Sequence, residues 1–232
     1  KPTERAAAIG IWSSIAGGGL LPLGDGLGSL WADAAWGRRS IGLEEVGPAD
    51  PFAAVVAAIG SLSPLAPSLA LVVLWVIALP LAALGGWFAA TRVTDRSGLR
   101  IGAAVVWAFA PPFIAALVEP RPAAVLVHLA LPWLFLAVTV MHRSWGAAGA
   151  ASLILMVIAA ASPAVGALLA AGALVAIVVA FIVRAPRVVP RIIWTIVPTL
   201  AAFIPLAWAQ IRHGEVLALL ADGSLAPQIA AT

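Results

Sequence analysis

The amino-acid sequence predicts an all-α fold: a polytopic transmembrane helix bundle of about six spans, with an outer-side polar segment and an interfacial helix ahead of it. Three observations carry this prediction. Of 232 residues, 63% are hydrophobic and 10% are charged, whereas a soluble domain holds roughly 45–50% apolar and about 25% charged residues. The shortage of charge falls in residues 64–209, where apolar runs approach the ~20 residues that cross a bilayer. Basic residues gather in alternate gaps between those runs, the pattern that orients a membrane protein.

The elements follow in chain order. Residues 1–63 are expected to form an extracytoplasmic polar segment. Ala6–Leu23 is apolar, but Gly17, Gly18, Gly19 and Pro22 make a spanning helix poor there, and a loop or helix end is expected. Residues 24–50 hold Asp25, Asp33, Glu44, Glu45 and Asp50, with Trp31 and Trp36 as interfacial aromatics. Pro51–Leu62 is a short apolar run in which Asp50 can cap the N-terminus and Pro51 suits the first helical position. It is too short to span, so it is expected to lie in the interface or re-enter.

Six longer runs come next. They cover Leu65–Ala90; Ile101–Val118, interrupted by Pro111-Pro112; Ala123–Met141, with His128 and Pro132; Ala147–Ala161; Ala164–Val183; and Ile192–Ala209. The fourth is short, and with the fifth it could form one broken element. The turn signal Ser162-Pro163 favours two helices, because a single helix of that combined length would overshoot the bilayer.

Arginine placement sets the expected orientation. Arg92, Arg96 and Arg100 lie in the first gap, Arg143 in the third, and Arg184, Arg187 and Arg191 in the fifth. The second gap holds Arg121 and the fourth no basic residue. The arginine-rich gaps are therefore expected to be cytoplasmic, in strict alternation. The segment 1–63 and the tail 210–232 then lie outside the cell membrane. The chain opens at Lys1 without an initiator Met or a leader pattern. A piece of a longer polytopic protein is expected, partnered by the other domains of that chain.

Several function classes drop out. Cysteine is absent, which removes disulfides, thiol nucleophiles and thiolate metal sites. The three histidines, His128, His142 and His213, have no metal-ligand spacing. No basic cluster carries interleaved aromatics, so no nucleic-acid partner is expected. The glycine stretches at residues 17–19 and 24–26 match neither a P-loop nor a dinucleotide fingerprint. No cofactor is evident and no metal site is assigned.

Three constellations carry chemistry. The first is the outer acidic segment, where Asp33 and Asp50 are the candidate catalytic carboxylates. Either could act as general base on an acceptor hydroxyl, or hold a divalent cation against a lipid phosphate. The competing reading is a solvated loop kept out of the bilayer by its acids. The second is Glu119-Pro120-Arg121 in the short second gap. Arg121 suits a phosphate group, or it pairs with Glu119 or snorkels to headgroups. The third is His128, roughly two turns into its run, where an ionisable side chain is a candidate by default. Pro132 lacks the N–H that would meet the His128 carbonyl, leaving an acceptor beside the imidazole. The competing reading is a neutral histidine bonded to a neighbouring helix. Glu119, Arg121 and His128 are thus the candidate substrate-binding residues.

Small residues at four-residue spacing, Ala148 with Ser152 and Gly166 with Ala170, are expected to let helices approach closely. Trp75, Trp87, Trp107, Trp133, Trp194 and Trp208 are expected to be belt or packing residues.

Four stretches stand in a suggestive order: "GGWFAATR" of Gly85–Arg92, "WAFAPP" of Trp107–Pro112, "HLALPW" of His128–Trp133, and ahead of them Pro48–Phe52. Together they resemble the C-terminal membrane region of large actinobacterial family 2 glycosyltransferases, over about residues 20–180. The resemblance implies a GT-C-like membrane fold and a role in building cell-envelope glycans on a polyprenyl-phosphate carrier. It also implies a nucleotide-sugar domain elsewhere, because this chain has no α/β region with acidic metal-binding motifs. No catalytic residue carries over. Two other readings stand beside it. The broken second and third runs with His128 suit a multi-pass transporter or flippase-like permease. A non-catalytic membrane scaffold would tolerate substitution at every candidate residue.

Overall fold

A computed structural model describes residues 51–63 and 67–213, together with Gly28, Trp31 and Ala34. Among the described residues the ordered elements are all helical. They are α1 (Pro51–Gly60), α2 (Pro67–Ala90), α3 (Ser97–Ala108), α4 (Pro111–Val118), α5 (Pro122–Met141), α6 (Trp145–Ala161), α7 (Pro163–Ile182), a 3-10 turn (Pro186–Val188) and α8 (Val189–His213). Proline opens five of these eight α-helices. Its fixed φ suits the first turn, and its missing N–H is one that the first turn leaves unpaired anyway. α6 starts differently: the Ser144 Oγ accepts the Ala147 N–H at 3.4 Å.

Five segments are long and apolar enough to cross a membrane: Leu69–Ala90, Ser97–Val118, Pro122–Met141, Pro163–Ile182 and Pro186–Ile204. The second of these joins α3 and α4. α6, with 17 residues, is a shorter apolar helix packed among them. The fold is therefore the expected bundle, with α6 as its short sixth member. The turn at Ser162, whose backbone is extended, separates α6 from α7 and rules out one long broken element.

One expectation changes. The third run is not broken: α5 passes through Pro132 as a single helix. Proline interrupts one backbone hydrogen bond, which a spanning helix tolerates when neighbours pack around the gap. Here the Pro132 ring lies against Gly85, where a Cβ would sit 3.1 Å from the Pro132 Cγ. The second run is interrupted as expected, at Phe109-Ala110 between α3 and α4.

α6 is the axis of the bundle, in contact with α1, α5, α7 and α8. Its buried positions include Ala148, Ala151, Ser152, Ile158 and Ala159. Small side chains let neighbouring backbones approach, which is the main source of helix association where lipid is as apolar as the interface. Gly166 of α7 is the extreme case. A Cβ there would lie 2.5 Å from the Ala159 Cβ and 2.7 Å from its Cα. Gly86 plays the same part between α2 and α3, where a Cβ would meet the Trp107 Cβ at 2.9 Å. α7 turns Leu168, Leu174, Val175 and Phe181 outward, as a lipid-facing helix does.

The two ends of the bundle differ. At one end the Arg191 guanidinium donates to the carbonyl of His142 and lies 5.3 Å from the Trp145 ring centroid. A cation there complements the C-terminal dipole of α5 and ties the starts of α6 and α8 to it. Arg100 closes the α2–α3 turn on the same principle, donating to the Thr94 carbonyl at 2.8 Å and to Asp95 at 3.1 Å. At the opposite end α1 packs Val55 against Leu126 of α5 and Ala160 of α6. The Ser61 Oγ beside it accepts the Trp31 indole N–H at 3.1 Å.

Candidate functional site

The break in the second span sets the geometry of the site. In a continuous helix the Trp107 carbonyl would accept the N–H of residue 111. Residue 111 is proline, so that donor does not exist. The Ala110 N–H reaches the carbonyl at a long 3.4 Å. The His128 Nε2 of α5 approaches it at 2.9 Å. A carbonyl only accepts, so Nε2 carries the hydrogen and donates. In the neutral ring Nδ1 is then an acceptor.

The imidazole is also clamped face-on. The Trp107 ring stacks on it at 4.3 Å between centroids and 21° between planes. The Phe113 ring stacks at 4.3 Å and 13°. Trp107 belongs to α3 and Phe113 to α4, so one histidine bridges both sides of the break. The Trp107 Nε1 beside it is buried without a hydrogen-bond partner.

At the end of the bundle opposite Arg191 a cleft of about 320 Å³ opens beside this stack. His128 and Arg121 line it, with Phe113, Val127, Leu131 and Val165 as apolar wall and Ser162 at the α6–α7 turn. Arg121 precedes α5 directly and pairs with Glu119, both side chains being more than half exposed. The pair is at the surface, so the attraction is worth little, and the guanidinium can exchange Glu119 for another anion at small cost.

Of the candidate residues, the structure brings Arg121 and His128 to one cleft. Glu119 reaches it through its pairing with Arg121. Asp33 and Asp50 lie outside the described residues. Among the described residues no three His, Asp or Glu side chains gather in a metal-binding group. Two participants, Trp107 and Phe113, escape a sequence reading that takes tryptophans for belt or packing residues. A signal for Trp107 does exist. It stands four residues before Pro111, so its carbonyl is orphaned by the same rule that orphans the carbonyl of His128 before Pro132.

No known protein family, curated protein or solved structure matches the chain.

Proposed function

We propose that this chain is the membrane region of a cell-envelope glycosyltransferase and that its cleft holds the phosphate of a lipid-linked sugar or acceptor. The observation that supports this reading is the shared position of Arg121 and His128 against an apolar wall. A guanidinium at the rim suits a phosphate in bidentate geometry. The apolar wall suits the first carbons of a prenyl chain. A volume of about 320 Å³ falls at the small end of the roughly 300–1,000 Å³ of ligand pockets. It suits a headgroup and the start of its lipid, with the remaining chain in the bilayer. The nucleotide-sugar chemistry belongs to another domain of a longer protein.

The test is transfer of labelled sugar in membranes that hold the full-length protein. Arg121→Ala is expected to lower transfer about tenfold or more, since a hydrogen bond to a charged group contributes about 1.5–3 kcal/mol. Unchanged transfer removes Arg121 from the mechanism. A permease is the second reading, favoured by the interrupted α3–α4 span. It requires substrate flux in proteoliposomes, and flux absent while transfer is intact disposes of it.

In this reading the arginine-rich end is cytoplasmic and the cleft opens outside the cell membrane. The chain has no native cysteine, so single cysteines report topology directly. A membrane-impermeant maleimide applied to intact cells is expected to label Pro120→Cys and to spare Val93→Cys. The reverse pattern overturns the orientation.

A further inference from the structure

We propose that His128 reads a hydroxyl group on the ligand, so that the cleft selects anionic amphiphiles whose headgroup carries a hydroxyl donor beside the phosphate. The inference rests on the cleft being a ligand site and adds to it a recognition rule. The rule follows from the three constraints on the ring. Its two faces are covered by Trp107 and Phe113, so it meets a ligand with an edge. Its Nε2–H is committed to the Trp107 carbonyl. The polar atom left to a ring that lines the cleft is Nδ1, and in the neutral tautomer Nδ1 can only accept. No protein hydrogen bond to it occurs among the described residues. An acceptor cannot bind a fully ionised phosphate oxygen, which is itself an acceptor. Arg121 is the group for the anion, and His128 is the group for a neutral O–H donor near it. The two side chains divide the headgroup between them. A plain lipid phosphate satisfies one and leaves the other unpaired, and an unmade hydrogen bond in a partly desolvated site costs affinity.

Two sources share this chemistry: a prenyl-phosphate-linked sugar, and a phospholipid with headgroup hydroxyls. The experiment measures equilibrium binding to the 232-residue chain in detergent by native mass spectrometry, with two matched pairs of probes. One pair is methyl farnesyl phosphate and farnesyl-phosphate-linked glucose, both singly charged diesters. The other is phosphatidylpropanol and phosphatidylglycerol, likewise singly charged diesters. The expected result is a preference of about tenfold for the hydroxyl-bearing member of at least one pair. His128→Phe keeps a ring between Trp107 and Phe113 and has no acceptor in place of Nδ1. It is expected to abolish that preference. Imidazole nitrogen resonances of the wild-type ring give a readout independent of any substitution at His128. With His142→Gln and His213→Gln in place the chain keeps one histidine signal. Nδ1 is expected to be unprotonated in the free protein and to shift when the hydroxyl-bearing probe binds, but not the plain one.

Equal affinity within both pairs overturns the inference. So does a preference that survives His128→Phe, or an Nδ1 that carries the proton in the free protein. A preference confined to the phospholipid pair upholds the inference and removes the lipid-linked sugar reading. Arg121→Gln with unaltered phosphate binding removes the proposed phosphate site, whatever His128 does.

Discussion

Gly166→Val is expected to lower the stability of the bundle by about 1–3 kcal/mol, the usual cost of forcing extra methyl groups into a filled interface. The crowding is against backbone: the new Cβ would lie 2.7 Å from the Ala159 Cα. A rotamer change cannot relieve that contact, so α6 and α7 must separate. Separation is costly here, because helix association in lipid depends on close packing and not on escape from water. Gly172 on the same helix provides the control, since a Cβ there meets nothing within 4 Å. Gly172→Val is expected to fall within about 0.5 kcal/mol of the wild type, as surface substitutions do. Unfolding of both variants in mixed detergent micelles checks the pair. Equal stability would mean that the α6–α7 contact does not hold the bundle together.

Phe113→Ala is the second large effect. Phe113 is 1% exposed and sits in the cluster of Ala78, Ala82, Ala116, Val125 and Leu129. In a water-soluble core such a truncation costs about 3–5 kcal/mol, part of it the transfer of the ring from water. In a bilayer the unfolded reference keeps its side chains in lipid, so the transfer part largely disappears. The cavity and lost dispersion remain, and about 2 kcal/mol is expected. The ring also stacks on His128, so the two positions are coupled. A double-mutant cycle of Phe113→Ala with His128→Ala, read by the same unfolding assay, is expected to give about 0.5–1.5 kcal/mol of interaction. Strict additivity would show that the stack is a contact without consequence.

The spans were legible because their signal is local. Apolar composition, run length and the prolines at positions 51, 111, 122 and 163 each act within a few residues of the element they define. The central place of α6 was not legible. Its small residues announce close packing, but nothing along the chain says that four other helices meet there. Continuity of α5 was hidden for a related reason. Whether Pro132 breaks its helix depends on what packs beside it, and Gly85 is distant in sequence. At the site, Arg121 and His128 are conspicuous as polar residues in apolar surroundings. Their meeting in one cleft depends on how α4, α5 and the α6–α7 turn come together. Trp107 lies between these cases, because the donor missing at Pro111 is local information and the histidine that replaces it is not.

The brevity of α6 has a consequence for the membrane around it. Seventeen residues make a cylinder about 25 Å long, several ångström short of the roughly 30 Å hydrocarbon layer. A lone helix of that length would thin the bilayer to relieve the hydrophobic mismatch. Three of its neighbours, α5, α7 and α8, are longer, and α1 packs beside its end at Ala160, so protein and not lipid surrounds the shortfall. Ser162, at the end of α6, lies on the wall of the cleft that Arg121 and His128 also line. On the proposed lipid-phosphate reading, the depth a headgroup must reach to enter that cleft varies with bilayer thickness, and membrane composition becomes a lever on its occupancy.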